Sequence, residues 1–354
     1  MSSIQQKIQS LLDQLVEEGE ERGAQVAAYH KGDLIVDAWA GVADSRSGKL
    51  VTGETLFPVF SVTKGLVATM AHMLVEQGHL EYETRLAEVW PEFGVNGKSE
   101  ITLRQALNHT AGLANMPMGI GRQELGDWEA MCRAIADLQP TSVPATETVY
   151  HAITYGWIVG ETMRRVDGRP FAKMLDEMIC QPLGITSIFV GLPESRDSDV
   201  AFLESALEES VLPPIDTPQA VPAWVQPLHT WMNRADARRA CIPASNGIMN
   251  ARAVAKHYAA LVPGGVDGVE LLSPKRLQLA LEISDPEPSS RSMGYILGGF
   301  TSREAFGHGG FGGSHAFADP KNRFAFAFVR NRMGDGKSYQ RIADEFLKAG
   351  FGSE

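Results

Sequence analysis

The chain of 354 residues is long enough to bury a substantial core, and its 44% hydrophobic and 21% charged residues exclude disorder, collagen and coiled coil. Its 32 Lys and Arg against 43 Asp and Glu give a net charge of -11, so the surface repels phosphate backbones and anionic lipid, and no nucleic-acid partner is expected. No stretch approaches the roughly 18 consecutive apolar residues of a membrane span.

The first segment, MSSIQQKIQSLLDQLVEEGEERG, has no basic region followed by an apolar core, and its Ile4, Ile8, Leu11, Leu12 and Leu15 recur at helical spacing. It reads as a surface helix and not as an export signal. AQVAAYH (24–30) and DLIVDAWAG (33–41) are β-rich runs separated by Lys31-Gly32, a two-residue hairpin signal. Helical patterns then occupy Val59–Gln77, Leu103–Leu107, Glu124–Leu138, Thr154–Val166, Ala172–Ile179 and Ala251–Leu261. The stretch Leu212–Gln226 carries Pro213, Pro214, Pro218, Pro222 and Trp224, and reads as an ordered loop of the kind that borders binding sites. Near the end SHAFAD and RFAFAFVRN alternate across the turn Asp319-Pro320-Lys321-Asn322, and SYQRIADEFLKAG is a closing helix stopped by Gly350. Terminal strands and helices around a helical middle predict an α+β fold. One antiparallel sheet is built from both chain ends, residues 1–60 and 240–354, and an all-α lobe from residues 61–239 stands beside it.

Cys132, Cys180 and Cys241 are odd in number and lie in no CxxC or Cys/His pattern, so they read as free thiols in a reducing, cytoplasmic compartment. The nine histidines include no HExxH and no pair at zinc-ligand spacing, and neither a metal nor another cofactor is expected.

Candidate chemistry centres on LFPVFSVTKGLVATMAHMLVEQGHL, where a short extended run meets Ser61 and Leu66, Val67, Met70, Met73 and Leu74 follow at helical spacing. Residues three apart share a helix face, so Lys64 lies under the Ser61 hydroxyl. A serine hydroxyl needs a neighbouring base, and a lysine serves only if burial keeps its amine neutral. A helix start also presents free N–H groups to an oxyanion. S-x-x-K arises by chance about once in a chain this long, yet this is its single occurrence and it falls at a strand-to-helix transition. No G-x-S-x-G elbow competes, since Gly312-Gly313-Ser314-His315 lacks the closing glycine.

Several blocks in order resemble the serine β-lactamase-like family of class C β-lactamases, DD-peptidases and family VIII esterases. They are FPVFSVTKGLVATMAHMLVEQGHLEYETRLAEVWPEF, ITLRQALNHTAGL (101–113), PLGITSIFVGLP (182–193), ASNGIMNARAVAKHYAAL (244–261) and FGHGGFGGSHAFADPKNRFAFAFVRNRM (306–333). The resemblance implies the β-lactamase/DD-peptidase fold. It also implies that Tyr150 of VYHAITYGWIVGE opens the second motif and shares acid–base work with Lys64; Tyr155 is the rival, but Tyr150 precedes the helix. It places His308-Gly309-Gly310 on an edge strand and makes the Ser61 and Phe311 amides the oxyanion hole.

Two departures bear on substrate. The second motif reads Tyr150-His151-Ala152, without the asparagine that lactamases carry, and the third reads His-Gly-Gly in place of Lys-Thr-Gly. A lysine on the edge strand would bind a substrate carboxylate; its loss points to a neutral ester. Phe311, Trp224, Trp231 and Met249 are expected to line an acyl or alcohol pocket, with His308, Gly309, Gly310 and His151 as further substrate contacts. His109 and His151 also admit a structural reading. The expected activity is hydrolysis of short-chain carboxylic esters through a Ser61 acyl-enzyme, with a small-molecule ester as partner and homo-oligomerisation left open. The alternatives are a β-lactam or amide hydrolase, an acyltransferase, or a non-catalytic binding or scaffold module.

Overall fold

The computed structural model describes residues 3–207, 219–283 and 290–352. A capping box between Ser3 and Gln6 starts helix α1 (Ile4–Glu17), and its buried stripe is Ile8, Leu12 and Leu15. Strands β1 (Gly23–His30), β2 (Asp33–Asp44) and β3 (Lys49–Leu50) form a meander, and β4 (Phe57–Phe60) leads into helix α2 (Thr63–Glu76). The central region holds α3 (Leu103–Leu107), α4 (Trp128–Ala136), α5 (Thr154–Asp167) and the short strands β5 (Ile188–Val190) and β6 (Glu204–Ser205). The chain returns through β7 (Gly247–Met249), α6 (Ala251–Ala259), β8 (Ile296–Leu297), β9 (Phe306–Gly309), β10 (His315–Asp319), β11 (Phe324–Arg330), β12 (Arg332–Met333) and α7 (Lys337–Lys348).

Seven strands make one antiparallel sheet in the order β3-β2-β1-β11-β10-β9-β8, so β1 from one end of the chain pairs with β11 from the other, Ala27 opposite Ala327. The alternation of β11 divides its side chains by size: Phe324, Phe326 and Phe328 pack with Ile8, Leu12, Ile342 and Phe346 beneath α1 and α7, whereas Ala325, Ala327 and Val329 join the core on the opposite face. This is the α+β architecture, helices around an antiparallel sheet, expected from the sequence. No helix among the described residues is long and apolar enough to cross a membrane.

A second sheet, in the order β4-β7-β5, carries the chain into the site. Its presence alters two expectations. The helical pattern from Val59 begins only at Thr63, because Val59 belongs to β4 and Phe60 turns into the left-handed region at φ 49. Met249, expected in a substrate pocket, is fully buried in β7 opposite Phe57 and Ile188. The pattern over Glu124–Leu138 also divides, because Asp127 caps a new helix by accepting from the Ala130 N–H and ends the one before it. Residues 212–218 of the proline-rich stretch lie outside the described residues.

Candidate functional site

Ser61 sits in the sharp turn between β4 and α2. Thr63 locks that turn: its hydroxyl donates to the Phe60 carbonyl at 2.5 Å and accepts from the Gly247 N–H at 2.9 Å. One helical step on, Lys64 is fully buried, and its Nζ lies 3.2 Å from Ser61 Oγ. The same nitrogen donates to the Ala152 and Ala244 carbonyls at 2.7 and 2.8 Å. Burial, reinforced by the positive charge of Arg291, holds the amine well below the usual lysine range. A neutral amine has two hydrogens and one lone pair. With both hydrogens given to carbonyls, the lone pair is left for the serine proton.

Tyr150 reaches Ser61 from the other side and donates its hydroxyl to Ser61 Oγ at 2.9 Å. Burial pushes the phenol up, while the serine hydrogen bond and Arg291 act in the opposite direction. The Lys64 amine nitrogen lies 4.9 Å and the Arg291 guanidinium 4.7 Å from the centroid of its ring. Tyr155, its rival in sequence, is buried in the first turn of α5 and has no hydrogen bond to Ser61.

The turn between β9 and β10 closes the site; β9 is not the edge strand expected from sequence, because β8 pairs along its outer side. Gly310 donates to the Ser314 carbonyl at 2.7 Å and Gly313 to Gly310 at 3.1 Å, which leaves the Phe311 N–H outside the turn's own bonding. A Cβ on Gly310 would meet the Val59 carbonyl oxygen at 2.2 Å, so the glycine is what allows the turn to lie against the strand that delivers Ser61. Ser61, Tyr150 and Phe311 open onto one cavity of about 280 Å³ whose walls include Leu125, Ile153, Val225, Leu228 and Trp231.

The sequence matches the family model described as beta-lactamase over residues 8–350. The chain belongs to the beta-lactamase family. Among curated relatives it is 31% identical over 342 residues to the esterase/beta-lactamase LipL of Mycobacterium tuberculosis, covering 88% of this chain and 77% of that one. Among solved structures it is similar to a family VIII carboxylesterase, at 29% identity and TM-score 0.88 over 98% of both chains. It is also similar to a penicillin-binding protein homologue from Caulobacter crescentus, at 32% identity and TM-score 0.85, again over 98% of both.

Within this beta-lactamase fold the other residues singled out from sequence separate into two groups. Phe311 and Trp231 line the cavity with Ser61. Trp224 does not: its indole packs edge-on against Trp231 at 5.3 Å and donates to the Ile120 carbonyl at 3.0 Å, so it supports the wall from behind. His308 is buried on β9, its Nδ1 donating to its neighbour Gly309 at 2.7 Å, and its ring stands 6.2 Å from that of Tyr150, outside the cavity wall. Gly309 faces the His315 ring. His151 is buried with both ring nitrogens engaged by main chain, accepting from the Leu113 N–H at 2.9 Å and donating to the Val149 carbonyl at 2.6 Å. A substrate contact is thereby unavailable to it. Sequence reasoning missed Arg291, Ala152 and Ala244. Two act through carbonyl oxygens, which carry no side-chain signature, and Arg291 stands in no motif.

Proposed function

We propose that the protein is a serine hydrolase of carboxylic esters that works through an acyl-enzyme on Ser61. The observation that carries this reading is the placement of Ser61 Oγ between the Tyr150 hydroxyl at 2.9 Å and the Lys64 amine at 3.2 Å, at the edge of an apolar cavity. Ser61 attacks the ester carbonyl and its proton passes to the Lys64–Tyr150 pair. The tetrahedral oxyanion is received by the Ser61 and Phe311 amides. The pair returns the proton to the leaving alkoxide oxygen, giving a free alcohol and the acyl-enzyme. Water activated by the same pair then releases the acid and regenerates the serine.

Support for an ester comes from the site's walls and from the names of similar proteins, an esterase/beta-lactamase and a family VIII carboxylesterase. His308, where lactamases carry lysine, is held neutral by burial, down to about 3, and offers no charge to a substrate carboxylate. The cavity's walls of Leu125, Ile153, Val225, Leu228 and Trp231 suit the uncharged acyl or alcohol group of an ester.

The test is hydrolysis of p-nitrophenyl acetate, butyrate and laurate, with nitrocefin in parallel. Turnover of the two short esters above that of laurate and nitrocefin is expected. Strong nitrocefin turnover beside negligible ester turnover would replace the ester with a β-lactam. Ester consumption that yields a new ester when an alcohol is added would make the protein an acyltransferase.

A further inference from the structure

The segment that carries Tyr150 is gripped from one side by a single residue. His109 follows α3 in the left-handed region, at φ 64, where glycine is the usual occupant after a helix. A β-carbon there is unfavourable, and the conformation persists only where surrounding contacts hold it. Those contacts bracket Tyr150. The Val149 N–H donates to the His109 carbonyl at 3.1 Å, and the His151 N–H donates to His109 Nδ1 at 3.2 Å. The imidazole also meets the Tyr150 ring edge-on, 4.8 Å between centroids.

We propose that His109 is a positioning residue that fixes the Tyr150 hydroxyl on Ser61 and, two residues on, the Ala152 carbonyl on Lys64. This rests on the serine-hydrolase reading above. The amides on both sides of Tyr150 end on one histidine, so the backbone at Tyr150 cannot rotate without breaking one of the two bonds. The same clamp sets the direction of the Ala152 carbonyl, which takes one hydrogen of the Lys64 amine. Three further bonds join the two segments: His151 Nε2 accepts from the Leu113 N–H, Thr154 donates to the Leu113 carbonyl at 2.7 Å, and the Ala145 N–H donates to the Thr110 carbonyl at 2.9 Å. The role requires Nδ1 to accept, and therefore a neutral ring. Burial, with His151, Lys64 and Arg291 alongside, holds His109 well below the usual imidazole range and keeps that lone pair available.

The bond geometry makes the proposal separable from a merely structural role. Asparagine places an acceptor oxygen near the position of Nδ1 and tolerates the left-handed backbone, whereas glutamine carries its oxygen one bond too far and alanine has none. Rates of p-nitrophenyl butyrate hydrolysis, expressed per fluorophosphonate-titrated site so that misfolded protein is not counted, are compared for wild type, His109→Asn, His109→Gln and His109→Ala, and Ser61→Ala, which has no site to titrate, is compared with wild type per mole of protein folded by circular dichroism. His109→Ala and His109→Gln are expected to lose about 100-fold in kcat with KM within about threefold, and His109→Asn to recover at least about tenfold of that loss. Wild-type kcat per site in His109→Ala, or no recovery in His109→Asn, overturns the positioning role and leaves the serine reading intact. Ester turnover that survives in Ser61→Ala overturns the reading, and the role of His109 with it.

Discussion

Lys64 Nζ and Ser61 Oγ stand 3.2 Å apart, and the amine's two other hydrogen bonds go to neutral carbonyls, so no carboxylate among the described residues stabilises its charged form. That arrangement makes the lysine a base and not an ion-pair partner. Lys64→Met and Lys64→Arg are both expected to lower kcat for p-nitrophenyl butyrate by about 1000-fold, because arginine keeps its proton at every accessible pH. Steady-state kinetics checks this; a largely active Lys64→Arg would remove the lysine from proton transfer.

The pH profile follows from the same burial. The working form of Lys64 is the neutral amine, and a pKa pushed below the ordinary lysine range means that this form dominates at lower pH than for a free lysine. Ester kcat is therefore expected to reach its plateau at lower pH than a lysine of ordinary pKa would give, and not to keep climbing toward pH 10. Arg291 adds to the depression, so Arg291→Gln should move the acid limb to higher pH, read from kcat against pH for both proteins. An acid limb that stays in place, or moves down, would contradict the assignment.

Gly310→Ala tests the contact between the β9–β10 turn and the strand before Ser61. The added methyl would lie 2.2 Å from the Val59 carbonyl oxygen, so the turn must move away and take the Phe311 amide with it. A displacement of about 1 Å at the oxyanion site predicts a loss of roughly 100-fold in kcat. Circular dichroism and kinetics together check it, the variant remaining folded.

Stability should fall on mild acidification. Burial holds His72 and His151 down to about 4, and His257 and His308 down to about 3, below the ordinary value of 6.5. As pH falls below 6.5 the unfolded chain takes up protons that the folded protein refuses, so stability is lost across the window from 6.5 toward these lower values. The loss is on the order of 2 kcal/mol per histidine by pH 5. Glu21 opposes this, since burial raises it to about 7 and the folded state binds its proton first, but it is one group against these four, and His109 and His315 are held below the ordinary value by burial as well. Thermal melts should show Tm falling by roughly 10 °C between pH 7.5 and pH 5. A flat profile would contradict the burial argument.

Much of this fold was legible in the sequence because side-chain period and size carry it. The alternation of FAFAFV on β11 names both faces of the sheet, and the capped run over Leu103–Leu107 has the bounds found in the structure. Around the site, the spacing of Ser61 and Lys64 places the two on one turn. Less legible was whatever depends on main chain or on distant pairing. The Ala152 and Ala244 carbonyls that orient Lys64 look like any alanine, Met249 reads as pocket-lining until β7 is seen between β4 and β5, and the left-handed backbone of His109 has no glycine to announce it.

The most direct test of the account is to trap the intermediate. Wild type and Ser61→Ala are mixed with p-nitrophenyl butyrate, quenched in acid within the first turnovers, and mapped by peptide mass spectrometry. A single butyryl group on the peptide at Ser61, absent from Ser61→Ala together with turnover, is the result predicted. A butyryl group on another residue, or a Ser61→Ala protein that hydrolyses the ester as fast as wild type, would contradict it.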